Sequence, residues 1–198
     1  MKKIPIAELY RKIIHLGSVF IPISYFCYVK EQNKMILILI CLCLISIIID
    51  FSRIKLSRVN NLFKYIFSNM LRDSEVDGEI TGATWLLIGS LLTIMFFPIY
   101  IAVPALIYLT IGDSFAALVG KAFPYGRVGT KSITGTLTGI LLSSNVALWF
   151  NDVLPLRLII LGSMVAMIIE LHPHRTFNDN LTIPVFSAFS IQIFFQFL

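Results

Sequence analysis

Between Ile111 and Thr136 the chain reads IGDSFAALVGKAFPYGRVGTKSITGT, a polar segment set between two strongly apolar runs. Gly126, Gly129, Lys131, Ser132, Gly135 and Thr136 combine freely turning backbone, an ammonium, two hydroxyls and the start of an apolar helix. Such a set suits a phosphate, with Lys131 neutralising the anion. The spacing is not that of a Walker A loop, and Gly135 with Gly139 also forms a GxxxG pattern, which by itself denotes helix packing. Upstream, Asp113 precedes Gly120 by about seven residues, or about 10 Å of helix, deep enough in an apolar run that an unpaired carboxylate is costly. It requires a partner. If Gly112 breaks the helix, Asp113 and Ser114 instead cap a half-helix, which is tolerated inside a membrane only beside protein or a watery cavity.

Other segments carry matching chemistry. Arg11 and His15 lie four apart and share one helix face, with Lys12 beside them. Lys121 adds a further cation after Gly120. Glu170 ends one apolar run and Asp179-Asn180 open the next, which contains Pro184, so these oxygens flank a short connection and suit a divalent cation. Helix capping by Asp179 or Asn180 is the simpler alternative. His172 and His174, either side of Pro173 and ahead of Arg175, read as loop residues rather than zinc ligands. Glu75, Asp77 and Glu79 read as a solvated acidic loop before Thr81-Gly82-Ala83-Thr84. A carboxylate-bound cation beside Lys, Arg and glycine backbone points to phosphoryl or nucleotidyl transfer onto a lipid head group, a reaction governed by positioning and charge neutralisation.

These groups must be positioned by membrane helices. Of the 198 residues, 57% are hydrophobic and 14% charged, and the mean hydropathy is +0.86, which excludes an ordinary soluble domain. A transmembrane helix needs about 20 apolar residues, and about seven runs qualify: 13–29, 35–51, 81–97, 99–119, 133–149, 156–171 and 181–198. The expected fold is therefore all-α and polytopic, one membrane domain over residues 1–198. Between the second and third runs, Phe51 to Ile80 alternates apolar residues with Arg53, Lys55, Arg58, Lys64 and Arg72, which predicts a basic amphipathic helix on the membrane surface. Cys27, Cys41 and Cys43 read as small buried hydrophobes, without disulfide or zinc. The segment after Lys12 has no small-residue cleavage site, so the first helix is read as retained.

Charge sets the orientation. With the N-terminus in the cytoplasm, Lys2, Lys3, Arg11, Lys12, Arg53, Lys55, Arg58, Lys64, Arg72, Lys121, Arg127, Lys131 and Arg175 face that side, and only Lys30, Lys34 and Arg157 face the other. The net charge of +5 is thereby explained without a nucleic-acid partner. The same orientation gathers Arg11, Lys12, His15, residues 112–136, Glu170 and Asp179-Asn180 on the cytoplasmic side.

RKIIH (11–15), TGAT (81–84), GDSFAALVG (112–120), KSITGT (131–136), and Glu170 followed by Asp179, Asn180 and Pro184 resemble, in this order, the family of dolichol kinases, phytol kinases and CTP-dependent diacylglycerol kinases. The resemblance extends from residue 11 to 184. It implies a polytopic lipid kinase that moves the terminal phosphate of CTP, with Mg²⁺, onto a membrane lipid alcohol at the cytoplasmic face. It implies that Asp113, Lys131, Asp179 and His15 are catalytic. Arg11, Lys12, Gly112, Ser114, Lys121, Lys131, Ser132, Gly135 and Thr136 would bind nucleotide, and Asp113, Glu170, Asp179 and Asn180 the metal. The segment KAFPYGRVGTKS departs from the family's more glycine- and lysine-rich linker at Pro124-Tyr125 and Thr130. Two other readings compete: a phosphatidate cytidylyltransferase, distinguished by a CDP-lipid product, and a small transporter, which would carry polar groups through the whole membrane.

Overall fold

The computed structural model describes residues 4–67, 70–172 and 178–197; Lys2, Lys3, His174 and Arg175 lie outside them. The described residues are all-α apart from one two-stranded ribbon. Helix α1 covers Ile6–Val29 and α2 Gln32–Lys55. Two short helices follow, α3 (Ser57–Phe67) and α4 (Asp73–Val76), then α5 (Gly82–Phe96). Helix α6 covers Ile99–Ala122. Strands β1 (Arg127–Val128) and β2 (Lys131–Ser132) precede α7 (Ile133–Trp149), α8 (Leu156–Leu171) and α9 (Asp179–Phe195). Among the described residues, α1, α2 and α6 are long and apolar enough to cross a membrane, and α5 and α7 are shorter apolar helices.

Helix α6 is the axis of the bundle. Its apolar window is 83% buried, against 17% for α1 and 22% for α2. Ile101, Ala102, Val103, Ala105, Ile107 and Leu109 have no exposed surface. The alanines keep its girth small, and α1, α5, α7, α8 and α9 all pack on it. Helix α2 lies further out, against α5. Its outward residues, such as Ile45 and Ile48, remain exposed, as a lipid-facing helix requires.

Small residues set the closest approaches. Gly135 lies on the backbone of Ala116 and Gly120, and Gly139 on the Gly112 carbonyl and the Met167 thioether, so the GxxxG pair is the α6–α7 contact. Gly89 lies on the backbone carbonyl of Asn180, bringing α5 against the start of α9. Within α6, Pro104 removes one amide donor, and Tyr108–Gly112 wind as a π-turn before the α-helix resumes at Asp113. The helix is thus continuous through Gly112, and no half-helix begins there.

Two expectations are corrected. The single amphipathic helix over 51–80 does not form: α2 continues to Lys55, Leu56 is extended and ends it, and α3 and α4 follow separately. Only α3 is an exposed basic amphipathic helix. Cys27 and Cys41 are exposed rather than buried, with Cys43 alone buried; their helices α1 and α2 are peripheral.

Gly89→Leu would push side-chain atoms into the Asn180 backbone, an overpacking that costs about 1–3 kcal/mol. Thermal unfolding in detergent should show a midpoint lower by at least about 3 °C. Gly17→Ala, where an added Cβ meets nothing within 4 Å, should unfold as the parent does.

Candidate functional site

Asp113 finds its partners on α1. It is 4% exposed, and its Oδ2 accepts from Lys12 Nζ at 2.5 Å and lies 3.3 Å from His15 Nε2. His15 Nε2 is also 3.0 Å from the Leu109 carbonyl oxygen. A carbonyl only accepts, so the ring carries its proton on Nε2 and donates to the π-turn of α6. Lys12 and His15 are on one face of α1 because they lie three residues apart. Arg11 and Lys121 both bind the Glu8 carboxylate, Lys121 at 2.9 Å.

Lys131 is the centre of a second group. The ribbon β1–β2, turned at Gly129 with φ +58°, presents Lys131 next to the start of α7. Its ammonium binds Glu170 and lies 3.9 Å from Asp179 Oδ2. Burial opposes the charge, but Asp113, Glu170 and Asp179 outweigh burial and push the Lys131 pKa up, so it is an ammonium at neutral pH. Ser132 next to it is the N-cap of α7, its Oγ accepting from Gly135 N. Asn178, rather than Asp179 or Asn180, caps α9. That leaves the Asp179 carboxylate free for Lys131.

All these side chains line one cavity of about 1180 Å³, larger than the roughly 300–1,000 Å³ of common small-molecule sites. Of the residues expected at a site, Arg11, Lys12, His15, Asp113, Lys121 and Lys131 reach its wall, as do Ser132, Glu170, Asp179 and Asn180. Gly112, Ser114, Gly135 and Thr136 do not. Gly112 and Gly135 are consumed by helix contacts, Thr136 Oγ1 donates to the Ser132 carbonyl, and Ser114 is fully buried. Ser114 Oγ makes no hydrogen bond among the described residues.

The oxygens fit a hard cation in kind. Asp113, Glu170 and Asp179 are carboxylates that share Lys131 as a neighbour, and Asn180 spends its amide N–H on the Gly82 carbonyl at 2.7 Å, which leaves its Oδ1 to act as a donor. Among the described residues no three His, Cys, Asp or Glu side chains form a metal cage by themselves. Mg²⁺ is characteristically held by one or two carboxylates together with substrate phosphates and water rather than by such a cage.

A polar cluster in the cavity wall is absent from the sequence reading. Asp50 and Arg53, both 2% exposed, are paired at 2.8 Å. Asp50 Oδ2 accepts from Thr81 N, Thr81 Oγ1 and Thr84 Oγ1. Arg53 donates to the Glu75 and Glu79 carbonyls and lies over the Phe63 ring. Arg53 is therefore not a surface residue of an amphipathic helix. Glu75 is not solvated either: it is 7% exposed and accepts from Arg72 N and Gly82 N. The cluster ties the end of α2 to the start of α5, whose Gly82 carbonyl holds Asn180. Glu8 was missed as well. The available signals were Asp50 with Arg53 and Glu8 with Arg11, opposite charges three apart at the edge of apolar runs.

No protein-family model matches the chain. It is 26% identical over 194 residues to an uncharacterized protein of Rickettsia prowazekii (strain Madrid E), covering 94% of both chains. It is 24% identical over 207 residues to the CTP-dependent diacylglycerol kinase 1 of Eremothecium gossypii, covering 91% of this chain and 65% of that kinase. The chain thus spans about two thirds of the kinase's length. No solved structure matches.

Arg53→Met leaves the buried Asp50 charge uncompensated, a change that costs about 3–5 kcal/mol. The detergent-solubilised variant should unfold well below the parent on heating, and adding Asp50→Asn should recover part of the loss. Equal midpoints for parent and Arg53→Met would mean that the pair does not organise the α2–α5 junction.

Proposed function

We propose that the protein is a CTP-dependent lipid kinase, one membrane domain that transfers the terminal phosphate of a nucleotide to the hydroxyl of a membrane lipid alcohol. The observation that carries this reading is the convergence of α1, α6, β2, α8 and α9 on one cavity in which Arg11, Lys12, Lys121 and Lys131 meet Asp113, Glu170 and Asp179. The distant likeness to a CTP-dependent diacylglycerol kinase points the same way. In this reading α1, α2 and α5 to α9 all cross the bilayer, with the N-terminus in the cytoplasm. Support comes from their coincidence with the seven apolar runs and from the thirteen basic residues on one side against three on the other. The cavity then opens to cytoplasmic nucleotide.

In this arrangement Arg11, Lys12, Lys121 and Lys131 receive the triphosphate, with Ser132 at its edge. Lys131, held charged by its carboxylate neighbours, offsets the charge of the migrating phosphoryl group. One or two of the oxygens of Asp113, Glu170, Asp179 and Asn180 would hold Mg²⁺ beside the phosphates, and the ion would supply charge neutralisation and alignment. His15, fixed by the Leu109 carbonyl, orients Asp113. The acceptor hydroxyl loses its proton to a carboxylate of this set as its oxygen bonds to phosphorus, and the nucleoside diphosphate departs.

Purified protein in micelles with γ-labelled CTP or ATP, Mg²⁺ and a panel of polyprenols, phytol, geranylgeraniol and diacylglycerol should put label in the lipid fraction. Label from α-labelled CTP with phosphatidate would instead identify a cytidylyltransferase. Asp113→Asn and Lys131→Ala should each lower transfer by at least about a hundredfold, while the protein stays folded and inserted; normal turnover in either variant would sink the site assignment.

A further inference from the structure

The N-terminal half of α1, Ile6–Gly17, packs on Tyr108–Ala122 of α6. It stands off from α2 and α5, and the cavity fills the space between them. Ile14, Ser18 and Ile21 line it from α1, Ser46 and Ile49 from α2, and Leu87 from α5. Ile14 and Ile49 are 54% and 44% exposed, so they sit where the cavity meets the outside of the bundle. Ile21 is about two turns further along α1, which carries an apolar wall about 10 Å beyond the level of His15 and Asp113.

Here hydrocarbon and hydroxyl line the opening, and the charges behind it are already satisfied. Asp50 is neutralised by Arg53, and Asp113 by Lys12. Ser18 and Ser46 donate to or share hydrogen bonds with the His15 carbonyl and Thr84. None of the six residues is a cation, so nothing on this wall compensates a charged head group in an apolar setting.

We propose that the cleft between α1 and the α2–α5 pair is the binding site of the acceptor's hydrocarbon chain, entered sideways from the bilayer between Ile14 and Ile49. Its ligand is an amphiphile with an uncharged hydroxyl head. The head reaches Asp113 and His15 while the chain lies along Ile21 and Leu87. The cavity's volume fits two ligands meeting in it, nucleotide from the basic side and lipid from this one. The identity of the reaction rests on the kinase reading, but the binding site is testable without it.

Place the photoreactive residue p-benzoylphenylalanine at Ile14, at Ile49 or, as an outward control, at Leu137 on α7, which is 54% exposed. Each full-length protein in phosphatidylcholine nanodiscs is illuminated with radiolabelled dioleoylglycerol or undecaprenol. Labelling at positions 14 and 49 should saturate and fall by at least about tenfold with excess of the same unlabelled alcohol, but not with methyl oleate, which has the chain and no hydroxyl. Labelling at 137 should stay proportional to probe and insensitive to competitor. Equal, unsaturable labelling at all three positions, or equal competition by methyl oleate, would overturn the proposal. No phosphate is transferred in this measurement, so a protein active as a kinase can still fail it. If activity is found, Ile49→Trp should raise the KM for lipid by at least about tenfold and leave the KM for nucleotide alone; unchanged lipid KM would equally remove the cleft.

Discussion

The contact between Asp113 and the Lys12–His15 pair holds the site together. A carboxylate buried in the central helix of an apolar bundle must be compensated, and the compensation comes from α1, the least buried of the three long apolar helices. That requirement fixes the rotation of α1, because Lys12 and His15 must face α6. It also brings Arg11 towards the cavity, where Glu8 ties it and Lys121 together. The second group, Lys131 with Glu170 and Asp179, applies the same logic to the other flank of α6. Taken together, Arg11, Lys12, Lys121 and Lys131 balance Glu8, Asp113, Glu170 and Asp179, which lets such a density of polar atoms exist between apolar helices.

Small residues make that balance geometrically possible. Gly135 and Gly139 let α7 approach α6 backbone to backbone, which places Ser132 and the Lys131 ribbon beside the last turn of α6. Gly89 does the same for α5 and the start of α9, where Asp179 and Asn180 stand. The glycines on these contacts act through packing, and the phosphate chemistry proposed for this segment falls to Lys131 and its neighbours on the cavity wall.

Much of this was legible in the sequence, for a physical reason. Polar residues inside apolar runs are costly, so Asp113, Lys131 and Glu170 stood out, and the helices followed from run length. The Asp50–Arg53 pair did not stand out, because charges at the edge of an apolar run are ordinary and only the fold reveals that α2 continues past them into a buried junction. Glu75 was misread for the same reason: a turn rich in acids is usually solvated, and nothing local indicates that the start of α5 folds back onto one of them. Gly112 and Ser114 adjoin the decisive aspartate, yet on a continuous helix neighbours point to different sides, and these two face the packed interior.

The Lys12–Asp113 bond joins residues 101 apart in the chain. During synthesis α1 is therefore made long before its partner exists. Until α6 has been made, Lys12 and His15 lack the Asp113 carboxylate, and the rotation of α1 is not fixed. The site thus depends on a contact of long sequence separation, and the docking of α1 on α6 neutralises Asp113 and completes the cavity in the same event.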